Sequence, residues 1–273
     1  MAHDLLEFAL STARAAGDVL MDRFEGALQI ASKSAAGDLV TDADRAAEAV
    51  ILARIKAAYP DHGVLAEESG VVGPPAALRW IVDPLDGTTN FAHRLPHFSV
   101  SIALVDADGP LVGVVHDPNR DETFFATRGG GAFLDSARAR ARAGQPARLA
   151  VTAVATLREA LVATGFPYVR DAAHRDNLAE VNRVVPRIRC LRRCGSAALD
   201  LCYVAAGRLD GYWEASLAPW DIAAGALIVR EAGGVVQRMN GAPWQLAHAD
   251  ITAGGPSLVR LLTAELIAAR TPA

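Results

Sequence analysis

The sequence predicts a mixed α+β fold, and three observations predict it. Two amphipathic helical stretches open the chain, short strands joined by tight turns follow, and strand and helix alternate through the last half. With 273 residues and 51% hydrophobic content, such a chain can bury a large core as one big domain or two closely packed ones. A net charge of −4 gives no electrostatic case for nucleic acid or an anionic membrane as the main partner. Charge breaks the apolar stretches well before the ~18 residues of a membrane span, and Met1-Ala2-His3-Asp4 lacks the basic and apolar regions of a signal peptide. A cytoplasmic protein is therefore expected. Cys190, Cys194 and Cys202 are odd in number and lack paired Cys-x-x-Cys spacing, so they are expected to be free thiols.

In chain order, Leu5, Leu6, Phe8, Ala9, Ala13, Ala16, Val19 and Leu20 recur at helical spacing and predict a helix over residues 4–25. Leu28 to Lys33 alternates as a strand, and residues 34–38 make a turn. Thr41-Asp42-Ala43-Asp44 opens a helix to about Ala58, stopped by Pro60. Acids in a first helical turn are expected for capping and dipole reasons alone, which is the competing reading of Asp42. Val64 to Ala66 is a short strand ending in Glu67-Glu68-Ser69, and Val71 to Leu78 is a connecting loop. Trp80-Ile81-Val82 has the apolar character of a buried strand; Pro84 holds Asp83 extended, so the strand ends at Asp83 and residues 85–87 turn. Gly87-Thr88-Thr89 then starts a short helix.

Phe98 to Val105, Leu111 to Val115 and Thr123 to Ala126 read as antiparallel strands. His93, His97 and His116 fall at element boundaries without ligand spacing and are expected to be packing residues. Ala137 to Gly144, with Arg138, Arg140 and Arg142, reads as a basic exposed loop without the aromatics of a nucleic-acid site. Strands at 149–154, 160–164 and 189–191 and a helix at 170–185 follow. Gly195-Ser196-Ala197-Ala198-Leu199-Asp200 opens a small-residue helix, a strand ends at Asp210 to Glu214, and Ala218-Pro219-Trp220-Asp221 begins another helix. Strands at 235–237 and 251–253 and a helix at 257–269 complete the alternation. Arg187, Arg189, Arg192 and Arg193 are expected to be solvated or at an interface rather than to face phosphate. The best boundary candidate, residues 129–145, divides an N-terminal α+β subdomain (1–140) from a C-terminal α/β subdomain (141–273).

Asp83 and Asp86 carry the chemistry. The turn after Asp83 brings the two carboxylates together, and they repel unless protons or a cation intervene. The free N–H groups at Gly87 to Thr89 offer a seat for phosphate beside them. Against this, Asp-Gly is a common turn, and acids at strand ends often only cap a helix.

The string Asp83-Pro84-Leu85-Asp86-Gly87-Thr88-Thr89-Asn90-Phe91 resembles the metal-binding signature of the inositol monophosphatase family. Other segments extend the resemblance along the chain. Lys33, Asp38-Leu39-Val40-Thr41 and Asp44 match the family's Asp-x-Val-Thr-x-x-Asp segment, and Ala66-Glu67-Glu68-Ser69 matches Gly-Glu-Glu-Ser with Ala66 for the usual Gly. Gly195-Ser196-Ala197-Ala198 is similar to the segment beside the inositol ring. Trp220 to Gly225 followed by Glu231 to Gly234 reproduces the second signature, Trp-Asp-x-Ala-Ala-Gly and Glu-Ala-Gly-Gly.

The resemblance implies the layered α-β-α-β-α sandwich of the fructose-1,6-bisphosphatase-like sugar phosphatases, usually as a homodimer. It implies a Mg²⁺-dependent, lithium-sensitive phosphomonoesterase. Glu67, Asp83 and the Leu85 carbonyl are then expected to hold one ion, Asp83, Asp86 and Asp221 a second, and Glu67 a weaker third. A water activated by metal and oriented by Thr88, with Asp44 and Glu67, attacks phosphorus. Gly87, Thr88, Gly195, Ala197, Glu214 and Asp221 are the implied substrate contacts. The implied substrate is inositol monophosphate or a similar small polyol or sugar phosphate, since Thr89-Asn90-Phe91 is less like the nucleotide bisphosphate phosphatases. Ala218 stands where many members carry a polar or basic residue, which leaves the substrate's identity open; histidinol phosphate and fructose bisphosphate are the alternatives. A regulatory interaction protein that retains the site is the alternative from another class.

Overall fold

The computed structural model of the chain describes residues 2–24, 26, 30–32, 39–167 and 176–270. Helices α1 (Ala2–Phe24) and α2 (Asp42–Ala58) pack against each other, and along the chain they are separated by an antiparallel ribbon of β1 (Ile30–Ser32) and β2 (Leu39–Thr41). Next come β3 (Gly63–Ala66), β4 (Gly70–Val72), β5 (Arg79–Asp86) and the short helix α3 (Thr88–Ala92). Strands β6 (Ser99–Asp106), β7 (Gly109–Asp117), β8 (Glu122–Thr127) and β9 (Gly131–Ser136) lead to α4 (Ala137–Ala143) and β10 (Ala147–Arg148). The remainder is β11 (Leu161–Thr164), α5 (Leu178–Val184), β12 (Cys190–Arg192), α6 (Ala197–Ala205), β13 (Gly211–Ala215), α7 (Pro219–Glu231), β14 (Val235–Gln237), β15 (Asp250–Gly254) and α8 (Pro256–Ala268).

The strands make an eight-stranded sheet, ordered β10-β9-β8-β7-β6-β5-β3-β4, and a five-stranded sheet, ordered β12-β11-β13-β15-β14. In the larger sheet only β3 and β5 run parallel; in the smaller, β11 is parallel to both β12 and β13. Helices α1 and α2 cover one face of the large sheet, α6 and α7 fill the space between the sheets, and α5 and α8 cover the far face of the small one. The layers are therefore α-β-α-β-α, as the resemblance implies. Burial on both faces explains why β6 is buried from Ser99 to Val105 instead of alternating. At the middle of the sandwich a Cβ on Gly113 of β7 would stand 2.9 Å from the Ala224 carbonyl oxygen of α7. That glycine lets the helix lie directly on the sheet.

Several expectations are corrected. Residues 137–143 are a helix, not a loop: Ser136 accepts from the Ala139 N–H at 3.2 Å and Gly144 ends the helix with φ of 70°. Arg14 and Arg140 both grip Asp135, at 2.7 and 2.5 Å, so only part of this arginine run is merely solvated. Residues 149–154 are not a strand, because the Leu149 and Val151 N–H groups bond to single carbonyls of Ala132 and Ala232 instead of a ladder. Strands β4 and β9 arise where the sequence reads as loop and boundary. Strand β5 runs on to Asp86 through a register shift between Asp83 and Asp86, so the expected turn is a bulge inside the strand. Of the helix expected at 170–185, residues 170–175 lie outside the described residues, as does Lys33, and the described part begins at Leu178. All three cysteines are free, and no helix among the described residues is long and apolar enough to cross a membrane.

Candidate active site

The bulge in β5 lines a cavity rich in carboxylates. Asp83 pairs with Ser101 and Asp86 with Ser99, so the central strands of the large sheet hold both acids in place. Asp83 accepts the Leu85 N–H at 2.9 Å, which shapes the bulge from inside. Beyond it Gly87 turns the chain with φ of 102°, where a Cβ would stand 3.1 Å from the His97 carbonyl and 3.2 Å from that of Gly195. Only glycine accommodates that conformation and that closeness.

Asp44 sits at the start of α2, fully buried, and completes a capping box with Thr41: it accepts the Thr41 N–H at 2.8 Å and hydroxyl at 2.6 Å. Its other oxygen accepts the Thr88 hydroxyl at 3.0 Å, and the Leu85 carbonyl lies at the same distance from that hydroxyl. With its proton turned toward Asp44, the Thr88 oxygen keeps lone pairs for a ligand O–H. Asp42 lies on the surface, 3.8 Å from Arg23, as a first-turn acid that complements the helix dipole.

Glu67 follows β3, with its N–H bonded to the Val82 carbonyl at 3.1 Å beside Asp83. Glu48, one turn after Asp44, holds the following loop by accepting the Glu68 N–H at 2.9 Å and the Ser69 hydroxyl at 2.5 Å. Sequence reasoning missed Glu48, although a second acid four residues after Asp44 on one helix face was a visible signal.

The opposite wall comes from the C-terminal half. Asp86 accepts the Ser196 hydroxyl at 2.5 Å and the Ala198 and Ala197 N–H groups at 2.8 and 3.3 Å, which ties it to the first turn of α6. Asp221, at the start of α7, accepts the Ala218 N–H at 2.7 Å. Glu214 leaves β13 and accepts the Tyr212 hydroxyl. Glu67, Asp83, Leu85, Asp86, Gly87, Thr88, Gly195, Ala197, Glu214 and Asp221 all line one cavity. Arg193, expected to be solvated or at an interface, lines it too, whereas Arg187 pairs with Glu265 and Arg192 turns to Cys190. Ser196 and Asp200, from the small-residue segment, line the cavity as well, and Thr164-Gly165-Phe166-Pro167, Ser216 and Leu217 complete the lining without any signal in the sequence. His116 is a packing residue, bonded to Thr123 at 3.0 Å, and His93 does not line the cavity.

Burial pushes the Asp83 carboxyl well up, and Glu67, Asp86 and Asp221 push it further. Burial likewise raises Asp221, with Asp86 and Glu67 adding to it. Asp86 rises only to about 6, because its hydrogen bonds from Ser196, Ala198 and Ala197 oppose burial. Burial lifts Glu214 to about 7 against the Tyr212 hydrogen bond and the Arg193 charge. These acids strain against one another, and the strain is relieved by protons or by cations. Free of metal, the native protein binds protons at Asp86 that the unfolded chain, with a carboxyl near ~3.9, releases. The resulting stability is complete below ~3.9 and lost as pH rises through about 6. In chelator the urea midpoint should therefore be lower near pH 8 than near pH 5; a midpoint that rises over that interval contradicts the cluster's repulsion.

The sequence matches the inositol monophosphatase family over residues 1–271. It is 44% identical over 266 residues, 97% of this chain and 96% of the relative, to a protein named Nus factor SuhB from Salmonella typhimurium. It is also 44% identical over 236 residues, 86% of this chain and 85% of the relative, to an inositol-1-monophosphatase from Mesorhizobium japonicum. Its fold is similar to the crystal structure of extragenic suppressor protein SuhB from Bartonella henselae, with TM-score 0.88 and 39% identity over 96% of this chain and 98% of that one. An inositol monophosphatase from Anabaena is similar at TM-score 0.85 and 38% identity, over 97% and 96% of the two chains. On its motifs, its layers and these relatives, the chain belongs to the inositol monophosphatase family.

Proposed function

We propose that the chain is a Mg²⁺-dependent phosphomonoesterase acting on inositol monophosphate or a similar small polyol or sugar phosphate. The observation that carries this reading is the convergence of Glu67, Asp83, Asp86 and Asp221 on one cavity, with burial and mutual repulsion raising the carboxyls of Asp83 and Asp221. An all-oxygen set without His or Cys fits Mg²⁺ better than zinc. Glu67, Asp83 and the Leu85 carbonyl would hold one ion, Asp83, Asp86 and Asp221 a second, and Glu67 a weaker third. Bound there, the ions would neutralise phosphate charge, lower the pKa of water and stabilise the leaving oxygen.

The protein's own groups do the rest. Asp44 holds the Thr88 proton, so the Thr88 oxygen faces a water as an acceptor and aims it, with Glu67, at phosphorus. The amides at Gly87 and Thr88 receive phosphate oxygens, while Gly195 and Ala197 let the rest of the substrate approach the backbone. Glu214 accepts a substrate hydroxyl, and Arg193, which shares the cavity, supplies positive charge on the same side. In this reading residues 1–140 contribute most of the metal ligands and residues 141–273 complete the site, in a cytoplasmic homodimer.

Chelation is expected to abolish turnover and Mg²⁺ to restore it, with lithium inhibiting at millimolar levels. Undiminished turnover in chelator would sink the reading. A panel of inositol monophosphate, histidinol phosphate, fructose bisphosphate and other small esters, ranked by kcat/KM, tests the substrate. A second reading comes from the relatives named Nus factor SuhB. A net charge of −4 bears only on nonspecific attraction to polyanions, so the expectation of no nucleic-acid partner does not extend to a Nus-factor role. That role is separable from hydrolysis if it survives in a variant without phosphatase activity.

A further inference from the structure

Beside the carboxylate cavity stands a different donor set. The ligand atoms of His97, Cys194 and Asp200 lie within 4.8 Å of one another. His97 comes from the loop between α3 and β6, Cys194 from the loop between β12 and α6, and Asp200 from α6 itself. Asn90 fastens the two loops together, its amide donating to the His97 carbonyl at 2.7 Å and to the Cys194 carbonyl at 2.9 Å. Asp200 is 2% exposed. Its Oδ1 and the Nε2 of His97 are buried without a hydrogen-bond partner among the described residues. Two orphaned polar atoms on residues of one small cluster are a cost that a bound ion would remove.

We propose that His97, Cys194 and Asp200 form a second cation site, for zinc or a similar borderline divalent ion, distinct from the carboxylate site of the proposed phosphatase. A tetrahedral zinc ion with bonds of ~2.0 Å to nitrogen and oxygen and ~2.3 Å to sulfur separates its ligand atoms by roughly 3.3–3.5 Å, so from separations of at most 4.8 Å the three side chains need to close by about 1.5 Å at most. Thiolate, imidazole and carboxylate together select zinc over Mg²⁺, which takes oxygen ligands. Three protein ligands leave the fourth position to water. Asp200 also lines the carboxylate cavity, so an ion held here borders the wall that carries Gly195 and Ser196. The competing account is a thiol that simply hydrogen-bonds the Asp200 carboxylate. It explains the sulfur and leaves the His97 nitrogen orphaned. The site does not depend on the phosphatase reading.

The test uses the full chain saturated with Mg²⁺, so that the carboxylate site is occupied, and titrates it with Zn²⁺ and with Co²⁺. One tight site per chain is expected, weakened at least tenfold in Cys194→Ser and in His97→Gln. Bound Co²⁺ should show a thiolate charge-transfer band in the near ultraviolet that Cys194→Ser lacks. Equal zinc affinity in the wild type and both variants, or no such band in the wild type, overturns the site. Should a variant fail to fold, the cobalt spectrum of the wild type decides by itself.

Discussion

Replacing Asp221 with Asn is expected to lower kcat by ~100-fold or more, the loss that follows removal of one major electrostatic contributor in other active sites. The substitution removes a charge from the acid cluster and keeps side-chain size. Asn can still accept the Ala218 N–H that Asp221 accepts at 2.7 Å, so α7 keeps its start. Loss of the repulsion with Asp86 and Glu67 should raise the melting temperature of the variant in chelator above that of the wild type. Mg²⁺ should then stabilise the variant less than it stabilises the wild type. A purely capping role predicts the reverse, near wild-type kcat with ~1 kcal/mol of lost stability. Asp86→Asn is a poorer probe of the same idea. One oxygen of Asp86 accepts from Ser196 and Ala198 and the other from Ala197, so an amide oxygen can keep the first two bonds while its NH₂ faces the Ala197 N–H and weakens the link to α6. Its expected fall in kcat comes with a loss of stability, which the sequence does not reveal.

Trp213→Ala is expected to destabilise the protein by about 3–5 kcal/mol, the usual cost of emptying an aromatic core site. Trp213 is fully buried on β13, in the cluster with Val162, Leu258 and Leu262. Its indole N–H donates to Asn177 at 2.7 Å, and the Asn177 amide in turn donates to Thr164 at 2.8 Å and to the Gly165 carbonyl at 2.6 Å. Thr164 and Gly165 line the cavity, so this tryptophan supports one of its walls from behind. Truncation leaves both a void and an unpaired acceptor. Trp213→Phe, which fills most of the void and loses only the N–H, should cost about 1–3 kcal/mol. Urea denaturation of the three proteins with Mg²⁺ present checks the order; an alanine variant no weaker than the phenylalanine one contradicts it.

The sequence by itself determined the existence of most elements and the identity of the acids. Helical spacing located α1 and α2, and the turn after a buried strand marked Asp83 and Asp86, because local chemistry writes such features within a few residues; Asp44, Glu67 and Asp221 were marked by the resemblance of their short motifs to those of the family. The layering came from the resemblance, and the family model and similar structures support it. Only the tertiary structure decided which groups share the cavity. Arg193 was one arginine among several, and it faces the acids because the loop before α6 folds across the end of β5, where Asp86 bonds to Ser196 110 residues away. Glu48, Asn177 and Trp213 act through hydrogen bonds to distant segments, and no local pattern encodes such partners. Residues 137–143 were misread for the opposite reason. Alternating Ala and Arg have no amphipathic period to reveal a helix, and what holds it is the Ser136 cap, the Gly144 stop and the grip of Arg140 on Asp135. A strand likewise needs a neighbour: β4 and β9 exist because β3 and β8 offer open edges, and a partner's edge is absent from the segment's own residues.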